Sequence, residues 1–227
     1  MPQFYPKEML YLELGISPIR NIIRSRRLNF LHYILHEDKE SLVYRFLKTQ
    51  LEHPTKNDWG QEILKDVELY DLGLNIEEIE KIPRSSFEKL VKKKESAKSL
   101  EYLNSKKLKH SKVLHIKHSE LEMQDYIQPN SMSIQEVKFA FSLRSRMVDI
   151  RGNFENKYSD ILCPVCKKEE DRQPHLLVCE GLCDTNTIVS NLPNYDSLFG
   201  ADLKEKATIT RIIRSNFQKR KEKLKPS

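Results

Sequence analysis

Four residues toward the carboxyl end of the chain follow the spacing Cys-x2-Cys-x8-His-x3-Cys, and this pattern constrains the fold more than any other feature. They are Cys163, Cys166, His175 and Cys179. Two cysteines separated by two residues can turn both thiolates toward one ion, and a histidine and a cysteine four residues apart share one face of a helical turn. Because zinc suits mixed thiolate and imidazole ligands, the spacing predicts a zinc knuckle.

The expected ion is structural and not catalytic. Four protein ligands complete a tetrahedral shell and leave no position for a reactive water. Cys183 lies four residues beyond Cys179 and could replace His175 as the fourth ligand, although we expect it to be an uncoordinated thiol. The three acids at positions 169–171 are expected to form the solvated surface of the loop.

The composition predicts a mainly α-helical protein. Only six glycines occur among the 227 residues, and Leu, Lys, Glu, Ile and Arg dominate the periodic segments. We expect an elongated multi-helix body that is followed by the knuckle and a C-terminal helix. The expected ranges are 1–153 for the body, 154–183 for the knuckle, and 184–227 for a linker and a basic C-terminal helix.

Capping residues and apolar periodicity place eight helices along the chain. Ser17 is the expected N-cap of the first helix, with Pro18 at its first helical position, and Asn57 with Asp58 is the expected cap of the third. The predicted helices cover about residues 18–36, 39–51, 58–70, 75–82, 86–104, 121–127, 134–151 and 202–225.

The first predicted helix carries apolar residues on two sides. The residues that recur at helical spacing are Ile19, Ile22, Ile23, Phe30 and Ile34, and those that add apolar surface on another side are Leu28, Leu31 and Leu35. We expect the second half of this helix to be buried between neighbouring elements.

Positive charge is concentrated in one stretch of the sequence. Residues 84–117 contain eleven Lys and Arg against three acids, a surplus larger than the +6 of the whole chain. A polyanionic partner is expected because each neutralised phosphate releases condensed counterions, although a solvated lysine-rich helix face is the alternative. His110, His115 and His118 lack paired cysteines, so we expect solvated or phosphate-facing side chains there and no metal site.

Several classes of protein are excluded by what the sequence lacks. It contains no run of 18 apolar residues and no signal-peptide pattern, so we expect an intracellular protein, nuclear or cytoplasmic, that is neither secreted nor bound to a membrane. It also lacks an adjacent Asp-Asp pair, a glycine-rich phosphate loop and the Gly-x-Ser-x-Gly and His-Glu-x-x-His motifs. We therefore expect no enzymatic activity and no small-molecule substrate.

Five further segments accompany the knuckle in a fixed order. They are KEMLYLELGISPIRNIIRSRRLNFLHYIL at 7–35, HEDKESLVYRFLKTQ at 36–50, DW at 58–59, FSLRSRMVDIRGNF at 141–154, and YDSLFG at 195–200. This ordered set resembles the region downstream of the polymerase domain in the reverse transcriptases of non-long-terminal-repeat retrotransposons. The resemblance spans nearly the full length of the chain.

The resemblance implies a thumb-like or connector region within 1–153 and a non-catalytic tail. In that family the fingers and palm, with the catalytic aspartates, lie upstream of such a segment. Some relatives carry a nuclease with a Pro-Asp motif after the knuckle, but here no proline precedes an aspartate and the segment after Cys179 is short. We therefore expect a fragment of a truncated or decayed element.

By the same resemblance, the partner is expected to be element RNA or target DNA. The alternative is a zinc-stabilised protein-interaction module without a nucleic-acid role, and a metal-dependent nuclease would need an open metal site with clustered acids. The expected phosphate contacts are Arg20, Arg24, Arg26, Arg27, Lys89, Lys92, Lys93, Lys94, Arg144, Arg146 and Arg151.

Overall fold

The computed structural model describes residues 7–56, 58–107, 113–183, 194–200 and 202–225. Asn57, His110 and residues 184–193 of the predicted linker lie outside these ranges. Within the ranges the chain is mainly helical, and β pairing is limited to one isolated antiparallel bridge between Leu162 and Glu170. The prediction of a mainly α fold is confirmed.

Nine α-helices lie in the described part of the chain, and none of them is both long and apolar enough to cross a membrane. They are α1 (Lys7–Leu14), α2 (Ile19–Leu35), α3 (Leu42–Glu52), α4 (Trp59–Leu69), α5 (Ile76–Lys81), α6 (Arg84–Lys107), α7 (Ile134–Arg144), α8 (His175–Val178) and α9 (Leu203–Lys223). Short 3-10 turns occur at Asp125–Ile127, Arg151–Asn153, Glu155–Lys157 and Tyr195–Phe199.

The chain forms two compact units, and each unit is discontinuous in sequence. The helical unit comprises Gly15–Ser105 and His118–Glu122, and the knuckle unit comprises Met1–Leu14, Lys106–Lys117 and Met123–Ser227. These units differ from the predicted ranges, because α7, the knuckle and α9 contribute to one apolar core. Its buried members are Leu143, Val148, Ile150, Cys163, Leu176, Leu177, Cys179, Leu182, Leu198, Ile209, Ile213 and Phe217.

The helical unit is built around a core supplied by α2 to α6. The hydroxyl group of Tyr70 is buried and donates a hydrogen bond of 2.8 Å to the carbonyl of Asn21, and the ring of His32 stacks on Phe87 at 4.9 Å. These contacts hold α2 against its neighbours. The buried members of this core are Leu28, Leu31, Ile34, Leu35, Leu47, Ile63, Tyr70, Leu72, Ile79, Phe87 and Val91.

The two apolar sides of α2 have different environments. Leu28 and Leu31 are fully buried, whereas Ile19, Ile23 and Phe30 are 66%, 54% and 50% exposed. The second half of α2 is buried only on the side of Leu28 and Leu31, since Phe30 and Tyr33 are each 50% exposed, so the predicted burial between neighbours is only partly observed. The core of the helical unit takes up the side that carries Leu28 and Leu31 and also reaches Ile34, so Ile19, Ile23 and Phe30 of the first set are left exposed while Ile34 is buried.

Side-chain caps fix several helix starts, but not that of α2. Asp58 accepts a hydrogen bond from the backbone N–H of Gln61 at 2.6 Å, in agreement with its predicted capping role. In α2 the extended N-cap residue is Pro18, one residue later than predicted, and no side chain caps this end. Ser17 is therefore not the N-cap.

Helix α7 ends earlier than predicted, at Arg144. Arg146 has a left-handed backbone with φ of +52°, and the N–H of Met147 donates to the carbonyl of Ser142 at 2.8 Å. This bond pattern is the Schellman termination, in which glycine is the preferred left-handed residue. An arginine therefore occupies a position where an L side chain is strained.

Two other helix boundaries also differ from the prediction. Helix α6 continues to Lys107, beyond the predicted end near residue 104. The predicted helix over residues 121–127 is reduced to the 3-10 turn Asp125–Ile127.

A buried ion pair joins distant parts of the knuckle unit. The guanidinium of Arg144 donates to the Glu13 carboxylate at 3.0 to 3.3 Å and to the Leu198 carbonyl at 2.9 Å, and the Tyr126 hydroxyl donates to Glu13 at 2.6 Å. The Arg144 side chain is 4% exposed. The prediction that Arg144 contacts nucleic acid is therefore wrong, since its guanidinium is buried in the core and paired with the carboxylate of Glu13.

We predict that Arg144→Gln lowers the free energy of unfolding by about 3 to 5 kcal/mol, because the carboxylate of Glu13 would remain buried without its partner. Urea denaturation followed by circular dichroism measures this change. Arg211→Gln is the matched control, since Arg211 pairs with Glu136 at the surface and is 61% exposed. We expect Arg211→Gln to lower the free energy of unfolding by at most about 1 kcal/mol. Equal losses for both variants would contradict a structural role for the buried pair of Glu13 and Arg144.

Candidate metal centre

The four residues predicted as metal ligands come together in the knuckle unit. Their ligand atoms all lie within 4.8 Å of one another, with 3.8 Å between the sulfurs of Cys163 and Cys179 and 3.3 Å between the Cys166 sulfur and His175 Nε2. Cys163, His175 and Cys179 are buried, and Cys166 is half-buried. This arrangement can hold one metal ion.

A tight backbone turn presents the first two cysteines. The N–H of Lys167 donates to the carbonyl of Cys163 at 2.8 Å, and Lys167 has a left-handed φ of +58°. The N–H of Cys163 donates to the carbonyl of Glu169 at 2.7 Å, which closes the loop beside the isolated β-bridge. Both sulfurs therefore face the same side of the loop.

The surroundings of the sulfurs favour different protonation states in the absence of a metal. Burial opposes ionisation of Cys166, but hydrogen bonds from the backbone N–H groups of Lys168 and Glu169 outweigh it and lower the pKa of the thiol to about 7. Burial raises the pKa of Cys179 to about 12. A bound cation would reverse the second effect because a coordinating thiol is deprotonated.

The short helix α8 supplies the other half of the site. His175 begins this helix and Cys179 follows its last residue, so both side chains project from one turn. His175 Nδ1 hydrogen-bonds to the Glu169 carboxylate at 2.9 Å, which leaves Nε2 facing the cysteines. The role of Glu169 was missed in the sequence, because an acid in an exposed loop looks the same whether it is solvated or bonded to a ligand.

Cys183 is not a member of the four-residue cluster. Its thiol instead donates to the carbonyl of Leu177 at 3.1 Å. The geometry therefore favours His175 over Cys183 as the fourth ligand.

Helix α9 and the turn after α7 hold the knuckle in place. Asp171 is fully buried, and its carboxylate accepts hydrogen bonds from Arg220 at 2.6 Å and from the backbone N–H of Arg151 at 2.9 Å. At Gly152 a Cβ atom would lie 2.9 Å from the carbonyl oxygen of Asp171, so only glycine fits this close approach without a shift. Asn216 adds a hydrogen bond of 2.7 Å to the Leu176 carbonyl.

Among the basic residues predicted to contact phosphate, Arg24 and Arg27 are engaged within the helical unit. Their Nε atoms lie 3.3 and 2.7 Å from the two carboxylate oxygens of Asp66. Burial raises the pKa of Asp66, while the two arginines oppose that rise. Both arginines therefore have a packing role between α2 and α4.

The other predicted contacts on α2 and α6 are exposed, except that Lys94 is half-buried. Lys92 lies 3.4 Å from Glu95, and Lys94 donates to the carbonyl of Asp71 at 2.5 Å. The remaining residues of the helical unit that were predicted to contact phosphate are exposed. Their side chains form no ion pair or hydrogen bond within the described ranges. These residues are Arg20, Arg26, Lys89 and Lys93.

Two predicted residues of the knuckle unit differ in their availability. Arg151 donates to the Asp160 carboxylate at 3.1 Å and lies over the ring of Tyr158 at 5.7 Å. The exposed guanidinium of Arg146 forms no ion pair or hydrogen bond with the residues that the structure describes. Arg146 is therefore the available cation of the three predicted between 144 and 151.

The chain matches no family model, no curated protein and no solved structure. The resemblance to retrotransposon reverse transcriptases therefore remains a proposal. The metal site is supported independently of that resemblance by the convergence of four ligand atoms.

We predict that Cys166→Ala lowers the affinity for Zn²⁺ by more than about 100-fold, because a direct ligand contributes more than the outer-shell groups. Competition with a chromophoric chelator measures the affinity. Cys183→Ala is the matched control and is expected to change it by less than about threefold. A loss with Cys183→Ala as large as the loss with Cys166→Ala would instead make Cys183 the fourth ligand.

We predict that Glu169→Gln weakens Zn²⁺ binding by about 10- to 100-fold, since the carboxylate orients His175 and raises its basicity. The same chelator competition reports the change. Glu170→Gln is the neighbouring control, because Glu170 pairs with Arg172 and not with a ligand. Equal effects of the two variants would contradict a specific role for Glu169.

Proposed function

We propose that this chain is a zinc-stabilised, non-catalytic nucleic-acid-binding module. The observation that carries the proposal is the group of exposed cations on α2 and α6 that have no partner within the described ranges: Arg20, Arg26, Lys89 and Lys93. Unpaired surface cations release phosphate counterions on binding without first losing an intramolecular ion pair.

The ligand set supports zinc as the bound ion. Two thiolates at about 2.3 Å from a tetrahedral Zn²⁺ lie about 3.8 Å apart, and the sulfurs of Cys163 and Cys179 are separated by 3.8 Å. Three sulfurs and one imidazole nitrogen also suit zinc better than the oxygen-preferring Mg²⁺ or Ca²⁺.

A structural role for the ion follows from the same ligand set. Four protein ligands leave no open position for water or substrate, so the proposed ion stabilises the knuckle and performs no reaction. Two of its ligands, Cys163 and Cys179, belong to the apolar core of the knuckle unit. Metal binding would therefore stabilise that core.

The proposed biological setting is the tail of a reverse transcriptase of the non-long-terminal-repeat retrotransposon type. There the module would hold element RNA or target DNA while the polymerase copies it. Phosphate contacts dominate in this proposal, so the affinity depends on charge more than on base sequence.

We predict that the zinc-loaded full chain binds single-stranded RNA with a steep salt dependence, and that Lys89→Gln with Lys93→Gln reduces the slope of log K against log salt by about 1.4. Fluorescence anisotropy over about 50 to 300 mM KCl measures this slope with an RNA of about 20 nucleotides. Lys48→Gln with Lys56→Gln is the charge-matched control, because both lysines are exposed in the same unit.

A second candidate is a protein-interaction module, and the exposed side of α2 favours it. Ile19, Ile23, Phe30 and Tyr33 follow one helical stripe and are each at least half exposed. If the wild-type chain shows no salt-dependent RNA binding, or if both lysine pairs have equal effects, the nucleic-acid proposal is contradicted and this candidate replaces it.

A further inference from the structure

An open pocket of about 540 Å³ lies beside the knuckle, wholly within the knuckle unit. It is distinct from the metal site, since none of the four ligands lines it. Its volume is within the range of pockets that take small organic ligands. The residues lining it are Arg146, Gly152, Asn153, Glu155, Asn156, Arg172, Gln173, Pro174 and Tyr195.

The charges at this pocket favour an anion. Arg146 and Arg172 both line it, and Glu155 is the only acid among the described lining residues. Arg172 is 58% exposed and pairs with Glu170, whereas the guanidinium of Arg146 has no such partner within the described ranges. The guanidinium of Arg146 is therefore available to pair with a phosphate.

The backbone of Arg146 supports a use for its side chain. Arg146 has a left-handed φ of +52° and lies just beyond the C-terminus of α7, at the position of the Schellman termination where glycine would be unstrained. Strained positions of this kind occur often at binding sites, where the side chain contributes something that glycine lacks. At Arg146 that contribution is the unpaired guanidinium beside the pocket.

The wall of the pocket adds polar and flat surfaces. The hydroxyl of Tyr195 donates to the Oε1 atom of Gln173, and burial raises the pKa of Tyr195, so the phenol stays protonated and remains the donor. This bond fixes the amide so that Nε2 of Gln173, which is buried, has no partner among the described residues. Asn153 and Asn156 add further amides, and Pro174 adds an apolar surface.

We infer that this pocket binds one nucleotide of a single-stranded nucleic acid, with the phosphate at Arg146 and the base against Tyr195 and Pro174. The volume exceeds that of a lone phosphate, and amide groups match the mixed donors and acceptors of a base edge. The inference rests on the proposed nucleic-acid function and deepens it, because it assigns a position to the bound strand.

The decisive variant is Arg146→Gly in the zinc-loaded full chain. Glycine relieves the left-handed backbone, so the thermal midpoint is expected to be unchanged or higher, while the affinity for single-stranded RNA falls at least about fivefold. Lys138→Gln is the charge control, because Lys138 is an exposed lysine on α7 that does not line the pocket. Its expected change in affinity is less than about twofold.

Anisotropy titrations with RNA and DNA strands of the same sequence measure both affinities, and circular dichroism measures the midpoint. A loss of affinity for either strand that occurs with Arg146→Gly and not with Lys138→Gln supports nucleotide binding in the pocket. Equal affinities of Arg146→Gly and Lys138→Gln for both strands overturn the pocket but leave nucleic-acid binding intact. Absence of binding by the wild-type chain overturns both proposals.

Photocrosslinking provides a second measurement that does not depend on a variant. An RNA containing 4-thiouridine is irradiated with the wild-type chain, and the crosslinked peptides are mapped by mass spectrometry. Crosslinks to Tyr195 or to the peptide that contains residues 172–174 support the inference. Crosslinks found only in the helical unit overturn it.

Discussion

The knuckle unit depends on the buried ion pair between Glu13 and Arg144. Two charges have been removed from water, and this is stable only because further hydrogen bonds from Tyr126 and to the Leu198 carbonyl satisfy the remaining polar atoms. The pair connects α1, α7 and the turn that precedes α9. It thereby fixes the frame on which the knuckle packs.

The knuckle is short, and it uses neighbouring helices to complete its core. Cys163 and Cys179 pack with apolar residues of α7 and α9, so the proposed zinc would crosslink a segment that other elements already hold. At Gly181 a Cβ atom would lie 2.6 Å from Val165 Cγ1, which shows how closely the two halves of the knuckle approach. The buried bond between Asp171 and Arg220 ties the same segment to α9.

The sequence predicted features that depend on local spacing and failed for those that depend on distant partners. The convergence of His175 and Cys179 follows from their separation by one helical turn. By contrast, Arg144 looked like a surface cation at a helix end, because its partner Glu13 is 131 positions away. The two apolar sides of α2 were ambiguous for the same reason, since the pattern does not reveal which side the neighbouring helices cover. Glu169 is a different case, because its partner His175 is only six positions away, but an acid in an exposed loop looks the same whether or not it bonds to a ligand.

The separation between Glu13 and Arg144 also has a consequence for the order of folding during synthesis. The helical unit is built mainly from consecutive helices, α2 to α6, and even its long contact between Asn21 and Ser99 spans 78 positions against 131 for Glu13 and Arg144. Helix α1 is synthesised before them, yet the Glu13 carboxylate of α1 can pair with Arg144 only after α7 has emerged from the ribosome. Closing so long a segment is entropically costly, so the knuckle unit is expected to assemble last.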